Sequence, residues 1–122
     1  MDMEEFKKQF VLEAKEKLNE AEGYINQLQN GYDSETLTNL KRSFHTLKGN
    51  SAAMGYQKYF ALSKGCNDLV QKAIDQEIQL DNKTMSLFKN GKDKLLYALD
   101  YIENNNPEDF EDDGLIDKLQ EY

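Results

Sequence analysis

S-E-T-L-T-N-L-K-R-S-F-H-T-L-K-G-N-S-A-A-M-G, Ser34 to Gly55, is the stretch on which the reading of this chain turns. Leu37, Leu40, Phe44, Leu47 and Met54 recur at helical steps, and at about 100° per residue they share one face. Asp33 or Ser34 can accept hydrogen bonds from the free N–H groups of a first turn. Gly55 can take the left-handed conformation that ends a helix. His45 is the only histidine in the chain, and it falls roughly 140° away from the centre of the apolar stripe. Lys41, Lys48, Gly49 and Ala52 lie on its side of the helix. The imidazole is therefore expected on a solvent-facing flank, with a lysine one turn before it and another one turn after.

The same periodicity extends in both directions. Phe6, Phe10, Ala14, Leu18, Ala21, Ile25 and Leu28 predict a first helix over about Glu4 to Gln29, closed by Asn30-Gly31. Leu62, Cys66, Leu69, Ala73 and Ile74 predict a third over about Gln57 to Gln76. Gly65 inside it either permits close approach of a neighbour or is simply tolerated. After a turn at Asp81-Asn82, Met85, Phe88, Leu95, Leu99 and Ile102 predict a fourth over about Lys83 to Glu103, with Gly91 in its interior. Short connections favour antiparallel neighbours. The expected fold is all-α: an antiparallel four-helix bundle over residues 1–104 with a short additional C-terminal helix. Residues 105–122 divide into an acidic linker and that fifth helix, which carries Leu115, Ile116, Leu119 and Tyr122 on one side. Glu108, Asp109, Glu111, Asp112 and Asp113 read as a solvated spacer, and the fifth helix as loosely attached.

Bulk composition narrows the function. The 122 residues suffice for one domain, and the net charge is −8. A nucleic-acid binder needs a basic face, so no nucleic-acid partner is expected. Direct contact with an anionic membrane is disfavoured too, and no apolar run approaches the roughly 20 residues of a membrane span. The opening M-D-M-E-E-F does not read as a signal peptide. One cysteine, Cys66, forms no internal disulfide and suits a reducing compartment. A cytoplasmic location follows.

Familiar catalytic arrangements are missing. One histidine and one cysteine do not make a zinc site, and a di-iron bundle would need a second Glu-x-x-His helix. Ser43 and Ser51 lie near His45 but in no nucleophile elbow. G-N-S-A-A-M-G lacks the strand and lysine of a phosphate-binding loop, so ATP is not bound that way. Cys66 reads as a buried structural thiol. A lone histidine is more often idle or structural than functional. Here, lysines on both sides favour an incoming or attached phosphate through charge-assisted hydrogen bonds. Gly49, one turn on, leaves a gap through which a bulky phosphoryl donor can approach.

H-T-L-K-G-N-S-A-A-M-G-Y resembles the signature of histidine phosphotransfer domains, His-x-x-Lys-Gly followed by a second glycine: here His45, Lys48, Gly49 and Gly55. F-K-K-Q-F-V-L-E-A-K-E-K-L-N before it and Y-Q-K-Y-F-A-L-S after it are similar to one branch, the N-terminal phosphotransfer domains of bacterial chemotaxis histidine kinases. The likeness runs from about Glu4 to Glu103, and that branch also carries a fifth helix.

This resemblance implies that His45 is phosphorylated on the ring nitrogen farther from the backbone. Lys48 would orient the phosphoryl group and Gly49 keep the surface open. The domain would hold no cofactor. ATP would be bound by the kinase domain that donates, and magnesium by the response regulator whose aspartate accepts. The chain would be a phosphoryl carrier, part of a histidine protein kinase but not active with ATP by itself, and monomeric when isolated. Regulator docking would use the exposed sides of the second and third helices, and Tyr56 and Tyr59 either contribute to it or belong to the core.

At two positions the sequence departs from the branch. Its third helix has a histidine and, three residues later, a glutamate that holds the reactive tautomer. By alignment those positions are Lys64 and Asn67. Asn67 still offers an amide oxygen but no charge. Asp68 is a possible substitute, and Lys64 adds positive charge near the phosphate. Two alternatives therefore stay open: a carrier of a multistep phosphorelay loaded by a receiver domain, and a docking-only module.

Overall fold

In a computed structural model, which describes residues 2–122, the chain forms α1 (Met3–Leu28), α2 (Ser34–Met54), α3 (Gln57–Ile74), α4 (Asn82–Ile102) and α5 (Leu115–Glu121). Among the described residues there is no strand. α1 packs on α2, α2 on α3, α3 on α4 and α4 back on α1. This closes an antiparallel four-helix bundle, with α5 laid against α3.

The starts of three bundle helices are fixed by aspartate N-caps, of which the sequence reading named only Asp33, as an alternative to Ser34. Asp2 accepts from the Glu5 backbone N–H at 2.9 Å, Asp33 from Glu35 at 3.2 Å and Asp81 from Thr84 at 2.9 Å. α2 ends at Gly55, with φ 75°. There the N–H groups of Gly55 and Tyr56 return to the carbonyls of Ala52 and Ser51. This left-handed cap turns the chain directly into α3.

The core is continuous. Leu18, Phe44, Leu47, Tyr59, Leu62, Phe88, Leu95 and Leu99 are fully buried in it. Among the predicted core residues Phe6 is 45% exposed, and Met54 and Ile74 are only partly buried. Phe10 and Val11 are the first buried residues of α1. Phe10 closes that end of the bundle, edge-on to Tyr56 and Tyr59 at 5.1 and 5.3 Å between ring centroids. The turn carrying Phe6 lies beyond this layer.

The interior glycines of α3 and α4 mark close approaches. A Cβ on Gly65 would lie 3.0 Å from Cβ of Leu119, and one on Gly91 would meet Cys66. Cys66 itself is buried, and burial pushes its thiol up to about 12.

The acidic segment differs most from its sequence reading. It is a packed strap rather than a solvated spacer. Glu108 accepts from the backbone N–H groups of Gln57 and Lys58, at 2.6 and 2.9 Å. It thus caps α3 from fifty residues away, where the local N-cap, Tyr56, makes no side-chain bond. Phe110 is fully buried. Lys58 lies over its ring, donates to its carbonyl and reaches Asp112 at 3.9 Å. Lys94 pairs with Asp113 at 2.6 Å, and Asp112 accepts from the Ile116 N–H at 3.0 Å, holding the start of α5. Leu115 and Leu119 are buried, and Tyr122 Oη lies 2.5 Å from the buried Thr84 hydroxyl. The fifth helix is therefore firmly attached. The lysines that meet Asp112 and Asp113, and the N–H groups that meet Glu108, come from elsewhere in the chain, which explains why the segment reads as solvated when inspected alone.

Candidate functional site

α2 exposes one flank and buries the other. Leu37, Leu40, Phe44 and Leu47 are fully buried, whereas His45 is exposed. Lys41 and Lys48, one turn either side on the same flank, are half-buried, with their stems along the helix. Gly49 is exposed, and a Cβ built on it would meet nothing within 4 Å. Space beside the imidazole is therefore open. The helix backbone continues undisturbed beneath it, and the Ser51 hydroxyl donates to the Lys48 carbonyl at 2.9 Å.

α3 brings Asn67 to the same level. The two helices are antiparallel and joined only through Gly55 and Tyr56. A residue some ten positions before that turn therefore lies opposite one about ten positions after it. That places His45 level with residues 66–67. Gly65 faces α5, through Leu119. Asn67, roughly 160° further round, is on the opposite flank, toward α2. It is 6% exposed, and its Oδ1 has no hydrogen-bond partner among the described residues. The bond expected from the His45 ring to this oxygen is thus not formed in this structure, and a buried acceptor is left over. Unpaired buried polar atoms are uncommon and cost stability.

Lys64 and Asp68 pair with each other. Their 2.8 Å ion pair spans one turn on the solvent side of α3, with both side chains about half exposed. In this structure Asp68 thus engages Lys64, one turn before it on its own helix. Of the two readings left open for Tyr59, the structure supports the core one: it is fully buried against Phe10. Burial holds its hydroxyl well above the ordinary phenol range, and its Oη has no partner among the described residues. Tyr56 is 8% exposed and likewise contributes mainly to the core. Among the described residues, no three His, Cys, Asp or Glu side chains converge as a metal site would need. No helix among the described residues is long and apolar enough to cross a membrane.

An exposed imidazole on a four-helix bundle, flanked by lysines and a glycine gap, defines a class of protein. Residues 12–104 match the family model of the Hpt domain, and the chain belongs to that family, the phosphoryl carriers of two-component relays. Its fold is that of the phosphorylated P1 domain of CheA3, solved in complex with CheY6 from R. sphaeroides. The TM-score is 0.84 at 24% sequence identity, over 98% of this chain and 95% of that one.

Proposed function

We propose that His45 is the phosphoryl-accepting residue, and that the domain serves a chemotaxis-type two-component system in the cytoplasm. The single observation that carries this reading is the exposed imidazole beside an open Gly49, on a helix whose other face is sealed into the core.

In the first step, a kinase ATP-binding domain presents ATP. The Nε2 lone pair of the neutral ring attacks the γ-phosphorus, the bond to the bridging oxygen breaks and ADP leaves. Nδ1 keeps the ring proton, and the nearby acceptor on Asn67 suits that proton. In the second step, an aspartate oxygen of a response-regulator receiver domain attacks the phosphorus. The P–N bond breaks, its electron pair returns to Nε2, and the aspartyl phosphate forms. The Lys48 ammonium supplies charge-assisted hydrogen bonds to the phosphoryl oxygens in both steps. Gly49 admits donor and acceptor, while magnesium is held by the partners.

The absence of a carboxylate at Asn67 favours one second reading: loading of His45 by a receiver domain within a multistep phosphorelay. Incubation with a histidine-kinase catalytic domain and labelled ATP, or with a phosphorylated receiver domain, separates the two donors. Either way, the label should be acid-labile and absent from His45→Gln. Label retained by His45→Gln would move the site elsewhere.

A further inference from the structure

Lys64 stands on the edge of α3 that borders the His45 flank. Phe60, Lys64, Asn67 and Gln71 recur there at helical steps; Asn67 is buried, Phe60 and Gln71 are half-buried, and Lys64 is the exposed member of the stripe. Counted from the turn at Gly55 and Tyr56, His45 lies about 15 Å along α2 and Lys64 about 12 Å along α3, a difference in level of about 3 Å between neighbouring helices. In this structure Asp68 holds the Lys64 ammonium at 2.8 Å. We propose that Lys64 exchanges Asp68 for the phosphoryl group once His45 is loaded, as a second ammonium on the phosphohistidine beside Lys48; the inference rests on the phosphoryl-carrier reading of His45 and deepens it.

The exchange gives up little and gains more. An ion pair between half-exposed side chains is weak, and this one runs from lysine to aspartate along the chain, the less favourable direction for an i,i+4 pair. A phosphoryl group offers close to two negative charges and three acceptor oxygens, against one charge and two oxygens on Asp68. The flexible four-carbon stem of lysine can move between the two without any backbone change. An unloaded ring presents no anion, so Lys64 stays with Asp68 until loading. The chain already carries a net charge of −8, and an added dianion is stabilised by each ammonium brought near it. The ammonium then guards the P–N bond. Hydrolysis breaks that bond as a water oxygen joins phosphorus and one water proton goes to the ring nitrogen. A second ammonium disfavours protonation of the ring and holds the phosphoryl oxygens, so the loaded carrier lives longer.

Phosphoramidate should load His45 without a kinase: Nε2 bonds to phosphorus as the reagent's own P–N bond breaks and ammonia leaves. Once the reagent is removed, decay of the phosphohistidine at neutral pH is followed by phosphorus NMR. Lys64→Gln should shorten the half-life about threefold, the scale of one interaction between partly exposed charges, and should shift the phosphorus resonance. Lys64→Arg should restore both, and high salt should shrink the difference between Lys64→Gln and the wild type. Asp68→Asn, which frees the lysine, should lengthen the half-life, but not in the Lys64→Gln background. Lys89→Gln makes the same charge change on the exposed side of α4, which packs on α1 and α3, and should decay as the wild type does. An unchanged half-life in Lys64→Gln, an equal change in Lys89→Gln, or an Asp68→Asn effect that persists without Lys64 would overturn the exchange alone. Failure of phosphoramidate to load His45 in the wild-type domain would overturn the carrier reading and this inference with it.

Discussion

A Cβ placed on Gly91 would sit 2.5 Å from the Sγ of Cys66, so α3 and α4 approach as closely as they do only because one of them lacks a side chain at that level. Gly91→Ala is expected to lower stability by about 1–3 kcal/mol, since neither helix can yield without disturbing the core. Cys66→Ala removes the obstructing sulfur, and the double variant should recover a large part of the loss. Urea midpoints of the four proteins measure the coupling; simple additivity would show that the contact is not the cause.

Gly49 has no such excuse. Added bulk there meets nothing within the domain, and a glycine inside a helix costs about 1 kcal/mol relative to alanine. Gly49→Ala should therefore raise stability by up to about 1 kcal/mol while slowing phosphotransfer. Gly23 is an internal control. It is also exposed, in α1, with nothing near a built Cβ. Gly23→Ala should stabilise similarly and leave transfer unchanged. Thermal melts paired with transfer rates for both variants check the contrast.

Asn67→Glu tests the leftover acceptor. Burying a carboxylate should cost about 2 kcal/mol of stability in the resting domain. Once it accepts from Nδ1–H, it should also hold the reactive tautomer and oppose the charge that builds on the ring. Phosphorylation of His45 by a chemotaxis-type kinase domain is expected to quicken at least about tenfold. An unchanged rate together with the stability loss would place the side chain out of reach of the ring.

Glu108 is expected to contribute about 1 kcal/mol, as a helix cap does, although it lies fifty residues from Lys58. Glu108→Ala should lower the urea midpoint accordingly, and Glu108→Gln should restore part of it. Hydrogen exchange should quicken first at Gln57 and Lys58, and an effect spread evenly over the bundle would count against a local capping role.

Two of the capping aspartates predict acid sensitivity. Asp33 is held below its ordinary value of 3.8 by the Thr36 hydroxyl, aided by the Glu35 N–H, and Asp81 by the backbone N–H and hydroxyl of Thr84. A carboxylate whose folded value is depressed adds stability that is fully present above the unfolded value. That stability is lost as pH falls through the folded one. Unfolding free energy should therefore decline below about pH 4. The Asp33→Asn, Asp81→Asn double variant should show a shallower decline in a denaturant series across that range.

Most of the bundle was legible because its signals are local. The stripe Leu37–Leu40–Phe44–Leu47 fixes the orientation of α2 and so exposes His45. Asp33, Gly55 and Asp81 bound the helices by chemistry contained within a few residues. Phe6 misled because periodicity says which face a residue occupies, not whether a neighbour extends far enough to cover it. The strap was misread for the opposite reason. Glu108 and Phe110 find their partners in α3, and no window of sequence holds both halves of those contacts. The pairing of Lys64 with Asp68 is legible in the sequence, since four residues separate opposite charges on one helix.

The match to the Hpt family model ends at residue 104, yet α3 is tethered from beyond that point. A graft that moves only residues 12–104 into another signalling protein would leave behind the cap on α3, the Phe110 plug and the leucine that fills the notch at Gly65. Transplants of this carrier should therefore take the tail as well, because the helix that presents Asn67 is anchored by residues outside the shared segment.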